Sequence, residues 1–111
     1  MRNKFGNRKV TVGRETFDSR REYQRWCELK LLEKAGKIHD LFRQVKFELI
    51  PAQYEGKKCV ERAVNYYADF VYWEGEEMVV EDVKSEATRT PEYIIKRKLM
   101  RQNGYVIREV E

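Results

Sequence analysis

Apolar residues recur along this chain with two different periods. From Arg43 to Ile50 (RQVKFELI), Val45, Phe47 and Leu49 alternate with Gln44, Lys46 and Glu48, the pattern of a half-buried strand, and Pro51 ends it. Asn65 to Lys84 (NYYADFVYWEGEEMVVEDVK) reads as two further strands, rich in aromatic and β-branched residues, that meet at Gly75-Glu76. Glycine at the first loop position suits a two-residue type II′ turn. Between Ser19 and Ala35 the period lengthens: Tyr23, Trp26, Cys27 and Leu31, widened by Leu29 and Leu32, form a helical stripe. Ser19 is the N-cap, Glu22 completes a capping box at N3, and Gly36 is a natural C′ residue. Thr90-Pro91-Glu92 starts a second helix, which runs to about Asn103 before Gly104, with Tyr93, Ile95, Leu99 and Met100 facing inward. Lys9 to Phe17 predicts a small hairpin turning at Gly13-Arg14. Ile38 to Leu41 reads as a connector, and Glu55-Gly56-Lys57-Lys58 as a turn that either joins neighbouring strands or protrudes. Tyr105 to Val110 is a last strand. The order is hairpin, α, β, β, β, α, β: an α/β domain with a mixed central β-sheet flanked by two helices.

The two-residue turn sets the register of the long hairpin. Glu74 faces Glu77, Trp73 faces Met78, Val71 faces Val80, Asp69 faces Asp82 and Tyr67 faces Lys84. Alternation then places Asp69, Asp82 and Lys84 on one face. Opposed Cβ atoms lie about 5 Å apart, and like charges there destabilise a sheet. A divalent cation relieves the repulsion, because hard cations such as Mg²⁺ bind carboxylate oxygens together with substrate phosphates. Two acids, a cation and an amine beside a phosphate are the parts of metal-assisted phosphodiester hydrolysis. A three-residue loop would bring Glu81 or Val83 opposite Asp69 instead. The plain alternative is a strand-end acid beside a solvated edge.

A chain of 111 residues suffices for one domain with a modest core, and seven Tyr, five Phe and two Trp argue against disorder. Residues 1–8 read as a flexible basic arm and 9–111 as a single domain. No apolar run approaches the ~20 residues of a membrane span, and MRNKFGNRK lacks the apolar segment of a signal peptide, so a cytoplasmic location is expected. Cys27 and Cys59 read as free thiols; with His39 they match no zinc spacing. The net charge of +4 is unevenly spread: Arg2, Lys4, Arg8, Lys9 and Arg14 open the chain, while Glu74, Glu76, Glu77, Glu81, Asp82 and Glu86 crowd around Lys84. A basic chain with one acidic block fits a phosphate-backbone binder with a cation pocket; a mixed-charge soluble surface is the bland reading. Arg20, Arg21 and Arg25 stand at the positive end of the first helix dipole, where cations are unfavourable, so phosphate contact is a candidate role. Lys96, Arg97, Lys98 and Arg101 give the second helix a basic flank, with a solvated face as the alternative. Gln44, on the polar face of its strand, is a candidate contact to substrate or ion. Glu22 has two readings, helix cap and third carboxylate of the site.

Asp69, a hairpin, then Asp82-Val83-Lys84 resembles the PD-(D/E)XK nuclease superfamily. Upstream, FDSRREY places Glu22 where that superfamily carries a helix acid before the core sheet. The ordered set FDS..E, QVKFEL, YADFVY, VVEDVK and a basic helix is similar to a small phage and prophage family of hypothetical proteins assigned to that superfamily. The likeness runs from about Lys9 to Val110. Ala68 departs from the proline that some members carry, and Glu81 beside Asp82 offers a second acid for the same role. The resemblance implies a restriction-endonuclease-like core and a Mg²⁺- or Mn²⁺-dependent DNA endonuclease with no organic cofactor and no membrane. Asp69, Asp82 and the Val83 carbonyl would ligate the ion. Glu22 would serve both as cap and as ligand of a second ion or its water. Lys84 would orient the attacking water and stabilise charge. Arg20, Arg21, Gln44, Lys96, Arg97, Lys98 and Arg101 make up the expected DNA-binding set. Small phage members resemble Holliday-junction resolvases, so the implied substrate is branched DNA. Two symmetric cuts need two sites, hence a homodimer. Tyr66, Phe70 and Tyr72 are expected as exposed aromatics on the outer hairpin face, serving core or interface. The alternatives are a nicking or end-processing nuclease on linear or single-stranded DNA, and a non-catalytic nucleic-acid-binding module.

Overall fold

The computed structural model describes residues 9–111, and the basic arm expected over residues 1–8 lies outside the described residues. The elements are β1 (Val10–Val12), β2 (Glu15–Phe17), α1 (Arg20–Lys34), β3 (His39–Ile50), β4 (Gln53–Glu55), β5 (Lys58–Glu61), β6 (Val64–Glu74), β7 (Glu77–Val83), α2 (Pro91–Gln102) and β8 (Ile107–Val110), with one 3₁₀ turn at Glu86–Thr88. The central sheet has the order β3-β6-β7-β8; β3, β6 and β7 are antiparallel, and α2 carries the chain over to β8, which pairs parallel with β7. The architecture is therefore mixed α/β, with a mixed central sheet and two helices. β1–β2 and β4–β5 are separate two-stranded ribbons, and β4–β5 protrudes with every strand residue exposed.

Local chemistry sets the ends of these elements. Ser19 Oγ accepts from Glu22 N at 3.1 Å and Thr90 Oγ1 from Tyr93 N at 3.1 Å. Both helices close in Schellman motifs. Gly36 N donates to the Glu33 carbonyl and Lys37 N to that of Leu32; Gly104 N donates to the Arg101 carbonyl and Tyr105 N to that of Met100. The long hairpin has the expected register, Glu74↔Glu77, Trp73↔Met78 and Val71↔Val80. Gly75 has φ +62° and Glu76 stays out of the left-handed region, as a type II′ turn requires.

The connector expected at Ile38 to Leu41 is instead largely strand, since β3 begins at His39. Asp40 takes φ +54° and the pairing shifts by one between His39 and Phe42, so a bulge hides the strand from a period-two pattern. The stripe expected on α1 holds only in part, since Leu29 is buried and Trp26 packs beside it. Leu31 is 68% exposed, whereas Glu22 and Leu29 are the fully buried residues of the helix. On α2, Ile95 faces solvent and Ile94 packs inward beside Tyr93 and Met100. Tyr66, Phe70 and Tyr72, expected to be exposed, are all buried, because the helices cover both faces of the sheet.

Two apolar clusters flank the sheet. On β7, Val80 packs with α2 residues Tyr93 and Met100, while Val79 and Val83 pack with Leu29 and Trp26 of α1, so the helices cover opposite faces. β3 and β6 change sides part-way. Phe70 and Tyr72 join the α1 cluster but Tyr66 and Ala68 join the α2 cluster, although an unbroken strand would turn all four the same way. On β3, Leu41 packs toward α1 and Arg43 stacks on Phe17 at 3.7 Å, whereas Val45, Phe47 and Leu49 pack toward α2. The reversal falls between the pairs Arg43↔Phe70 and Val45↔Ala68, at Gln44 (φ +50°) and Asp69. The sheet is creased there.

A buried polar network ties α1 to β7. Glu81, fully buried, accepts from Arg25 Nε at 2.5 Å and Arg25 Nη2 at 3.1 Å, and from the Tyr72 hydroxyl at 2.5 Å. This contact, rather than phosphate, accounts for Arg25 near the start of the helix. Removing one partner of such a pair strands a charge in the core, so Arg25→Ala should lower stability by about 3–5 kcal/mol in urea unfolding. The double variant Arg25→Met/Glu81→Leu should regain most of that loss.

Candidate metal centre

The ladder between β6 and β7 ends at Phe70↔Glu81. One step further, side chains take over from backbone. Asp69 N donates to Asp82 Oδ1 at 2.8 Å, and Val83 N donates to Asp69 Oδ2 at 2.9 Å. Each carboxylate accepts a strand N–H, so two opposed acids coexist at the place where the strands part. Asp82 is 2% exposed. Lys84 Nζ lies 3.3 Å from Asp82 Oδ2 and 4.4 Å above the Tyr93 ring, and Lys84 N is fixed by the Val110 carbonyl at 2.8 Å.

The first turn of α1 brings Glu22 to the same place. Its reciprocal capping bond runs to Asp18 N at 3.1 Å rather than to Ser19 N. Its other oxygen accepts from Gln44 Nε2 at 3.2 Å and stands 3.5 Å from Arg43 Nη2. Gln44 Nε2 also reaches Asp69 Oδ1 at 3.2 Å, so the residue with the left-handed backbone bridges the two acids. Asp18, Glu22 and Asp69 each offer an oxygen within 4.8 Å of the others. Three carboxylates at such spacing are a donor set for a hard divalent cation. A cleft of about 530 Å³ contains them together with Gln44, Asp82, Val83, Lys84 and Lys96.

Burial dominates the electrostatics. It pushes the Asp69 carboxyl up to about 8, with the charges of Asp82 and Glu22 adding and the Val83 N–H and Lys84 opposing. Burial and then Asp18 raise Glu22 as well, against the Asp18 N–H, Arg43 and Gln44. Burial followed by Asp82 raises the Tyr66 phenol. The acids outnumber the cations that face them, which is the imbalance a bound divalent ion corrects.

The other expected contacts divide by position. Lys96 lines the cleft and pairs with Glu92 at 3.1 Å. Arg20 and Arg21 border an adjoining cavity of about 720 Å³ that shares Lys84 and Val83 with the first; Arg21 also bonds Glu28 and the Glu111 carbonyl. Arg97, Lys98 and Arg101 border a separate hollow beside Val106, and Arg97 is held by Glu109 at 3.1 Å. Cys27 and Cys59 are free thiols. Sequence reasoning passed over Asp18, Arg43 and Tyr93. Asp18 was visible as an acid one turn before Glu22 in FDSRREY; Arg43 carried no signal, because the crease turns it away from its neighbours on β3.

The family model described as Protein of unknown function (DUF1064) matches residues 2–110. The chain belongs to this family. The match spans every residue of the cleft, from Lys9 to Lys96. No curated protein and no solved structure matches the chain. No helix among the described residues is long and apolar enough to cross a membrane.

The raised Asp69 value gives a pH dependence of definite sign. An unfolded Asp titrates near 3.9, roughly, and the folded carboxyl at about 8, so the folded state holds the proton more tightly. The resulting stability is present at low pH and is lost as pH rises through the window from about 4 to 8. In EDTA, the melting temperature should therefore fall between about pH 5 and pH 8, Asp69→Asn should flatten the slope, and Mn²⁺ at the upper pH should restore the wild type but not the variant. Differential scanning fluorimetry reads all three; a wild-type melting temperature that rises over this range contradicts a buried, cation-poor Asp69.

Proposed function

We propose that this chain is a divalent-metal-dependent DNA endonuclease with a restriction-endonuclease-like core. The observation that carries the reading is the convergence of Glu22, Asp69, Asp82 and Lys84 on one cleft at the parting of β6 and β7. The order α1, β3, β6, β7, α2, β8, with β8 parallel to β7, supports the resemblance to the PD-(D/E)XK superfamily. The donor set fits the expected Mg²⁺ or Mn²⁺, since it consists of oxygen ligands only.

Asp18, Glu22 and Asp69 would hold a single ion, whereas Asp82, expected as a ligand, has its oxygens engaged by Asp69 N and Lys84. A bound divalent ion polarises a phosphate and lowers the pKa of a water beside it. Asp82 keeps Asp69 in position through the strand N–H and holds Lys84 at the cleft wall. Lys84, steadied over Tyr93, donates to a phosphoryl oxygen and stabilises the charge that builds there during displacement. Gln44 spaces Glu22 from Asp69, and Arg43 offsets part of the Glu22 charge. Arg20 and Arg21 border the adjoining cavity, which suits a backbone that continues past Lys84.

The substrate we assign is branched DNA of the four-way-junction kind, cut by a homodimer, on the strength of the resemblance. The test is cleavage of a labelled four-way junction beside linear duplex and single-stranded controls, with Mg²⁺, Mn²⁺ or EDTA. Paired symmetric nicks in the junction are expected, abolished by EDTA, with Asp82→Ala slower by about 10³-fold or more and Lys84→Ala by about 10²–10³-fold. Metal-dependent cutting of only the linear or single-stranded DNA keeps the nuclease and discards the resolvase. Binding without cutting under every metal condition points to a non-catalytic module.

A further inference from the structure

Tyr66 stands three residues before Asp69 on β6 and is 4% exposed. Its ring is packed, with Phe47 and Tyr93 each at 6.4 Å between centroids. Its hydroxyl is not satisfied: the oxygen is buried, and no described group completes a hydrogen bond to it. Folds seldom leave a buried donor unpaired, and such a group asks for an explanation. The two other buried tyrosines nearby have theirs. Tyr72 donates to Glu81 at 2.5 Å and Tyr93 to Glu109 at 2.6 Å. Tyr66 differs from Tyr72 in that it lines the acid cleft, as Tyr93 also does, and its hydroxyl alone of the three is left open. Asp82 is close enough to act on the phenol through its charge and as a hydrogen-bond acceptor, but no bond of good geometry is completed, and the Asp82 oxygens already face Asp69 N and Lys84.

We propose that the Tyr66 hydroxyl is a substrate ligand, donating a hydrogen bond to a phosphoryl oxygen of a phosphodiester seated against Lys84 and the acid cluster. The inference rests on the nuclease reading and adds to it a neutral donor on the α2 side of the cleft. Donor polarity selects the ligand. Lys84 has only hydrogens to give, and a phenol whose ionised form is opposed by Asp82 gives its own, so the group between them must be an acceptor. A phosphodiester presents two non-bridging oxygens, one for each donor, while the ester links lead the chain out of the cleft. Tyr67, half exposed on the same rim, offers a ring face to an adjoining base. A neutral donor suits this wall, because a second ammonium would compete with a cation for the carboxylates.

Tyr66→Phe removes one oxygen and leaves the ring packing intact. The test compares the full-length wild type and Tyr66→Phe in three readouts: melting temperature, kcat and KM on whichever DNA the wild type cuts, and the ¹³Cζ-tyrosine NMR spectrum during titration with dimethyl phosphate in Ca²⁺. The melting temperature should stay level or rise, because an unpaired hydroxyl is lost. The kcat should fall by about 10–100-fold with KM changed less than about threefold. The resonance that Tyr66→Phe deletes should be the one that dimethyl phosphate shifts. Wild-type kcat in Tyr66→Phe overturns the assignment, as does a lowered melting temperature with kcat unchanged, the mark of a structural hydroxyl. A resonance that shifts in a wild type that cuts no DNA retains Tyr66 as a phosphodiester ligand and removes the nuclease reading. No shift and no cutting removes both.

Discussion

Two opposed carboxylates can sit in the interior of a sheet only if something other than water satisfies them. Here the strands do so themselves. Asp69 and Asp82 each accept a backbone N–H from the other's strand, at 2.9 and 2.8 Å, where a carbonyl would otherwise complete the ladder. The exchange ends the pairing of β6 with β7 and opens the cleft. It coincides with the crease in β3 and β6, which brings Gln44 across to Asp69 and leaves room for the first turn of α1 to deliver Glu22. Cleft, crease and the first turn of α1 all meet at that pair of hydrogen bonds.

Neighbouring acids on β7 show how surroundings assign roles. Glu81 and Asp82 are both buried and, one residue apart, point to opposite faces. Glu81 meets a bidentate guanidinium and a phenol, so its charge is matched and its oxygens are used up; it fastens α1 to the sheet. Asp82 meets strand N–H and a single ammonium in a cleft that holds four further acids. The first arrangement is closed and structural, the second open and short of positive charge. Which of the two acids belongs to the cleft is thereby decided in favour of Asp82. The cost falls on α1: its inward face carries Glu22 and Arg25 where apolar residues would normally lie, and Leu29 is its only fully buried apolar side chain.

The caps and turns were legible because they depend on neighbours in sequence. Ser19, Thr90-Pro91, Gly36, Gly104 and Gly75 act within a few residues, and each ends or turns its element as the pattern implies. The α1 stripe was legible only in part: Leu29 and Trp26 pack inward, but hydrophobicity ranks Leu31 above Glu22 while polar partners on β3 and β7 draw Glu22 and Arg25 inward. The first residues of β3 were missed for a different reason: a left-handed Asp40 breaks the alternation on which strand recognition rests. Asp69, Asp82 and Lys84 could be grouped from a two-residue turn, since hairpin register propagates by simple counting. Asp18 could have been added from its spacing to Glu22.

The sequence by itself determined the element order apart from the β4–β5 ribbon, the hairpin register and most of the acids worth watching, all of them consequences of short-range sterics and hydrogen bonding. Tertiary structure decided what those acids do. The crease at Gln44 and Asp69, the direction of Arg43, the partition of Glu81 from Asp82 and the open hydroxyl of Tyr66 all arise between segments distant in the chain. No local pattern encodes them, because each depends on which partner's charge or hydrogen-bonding group reaches the same small volume first.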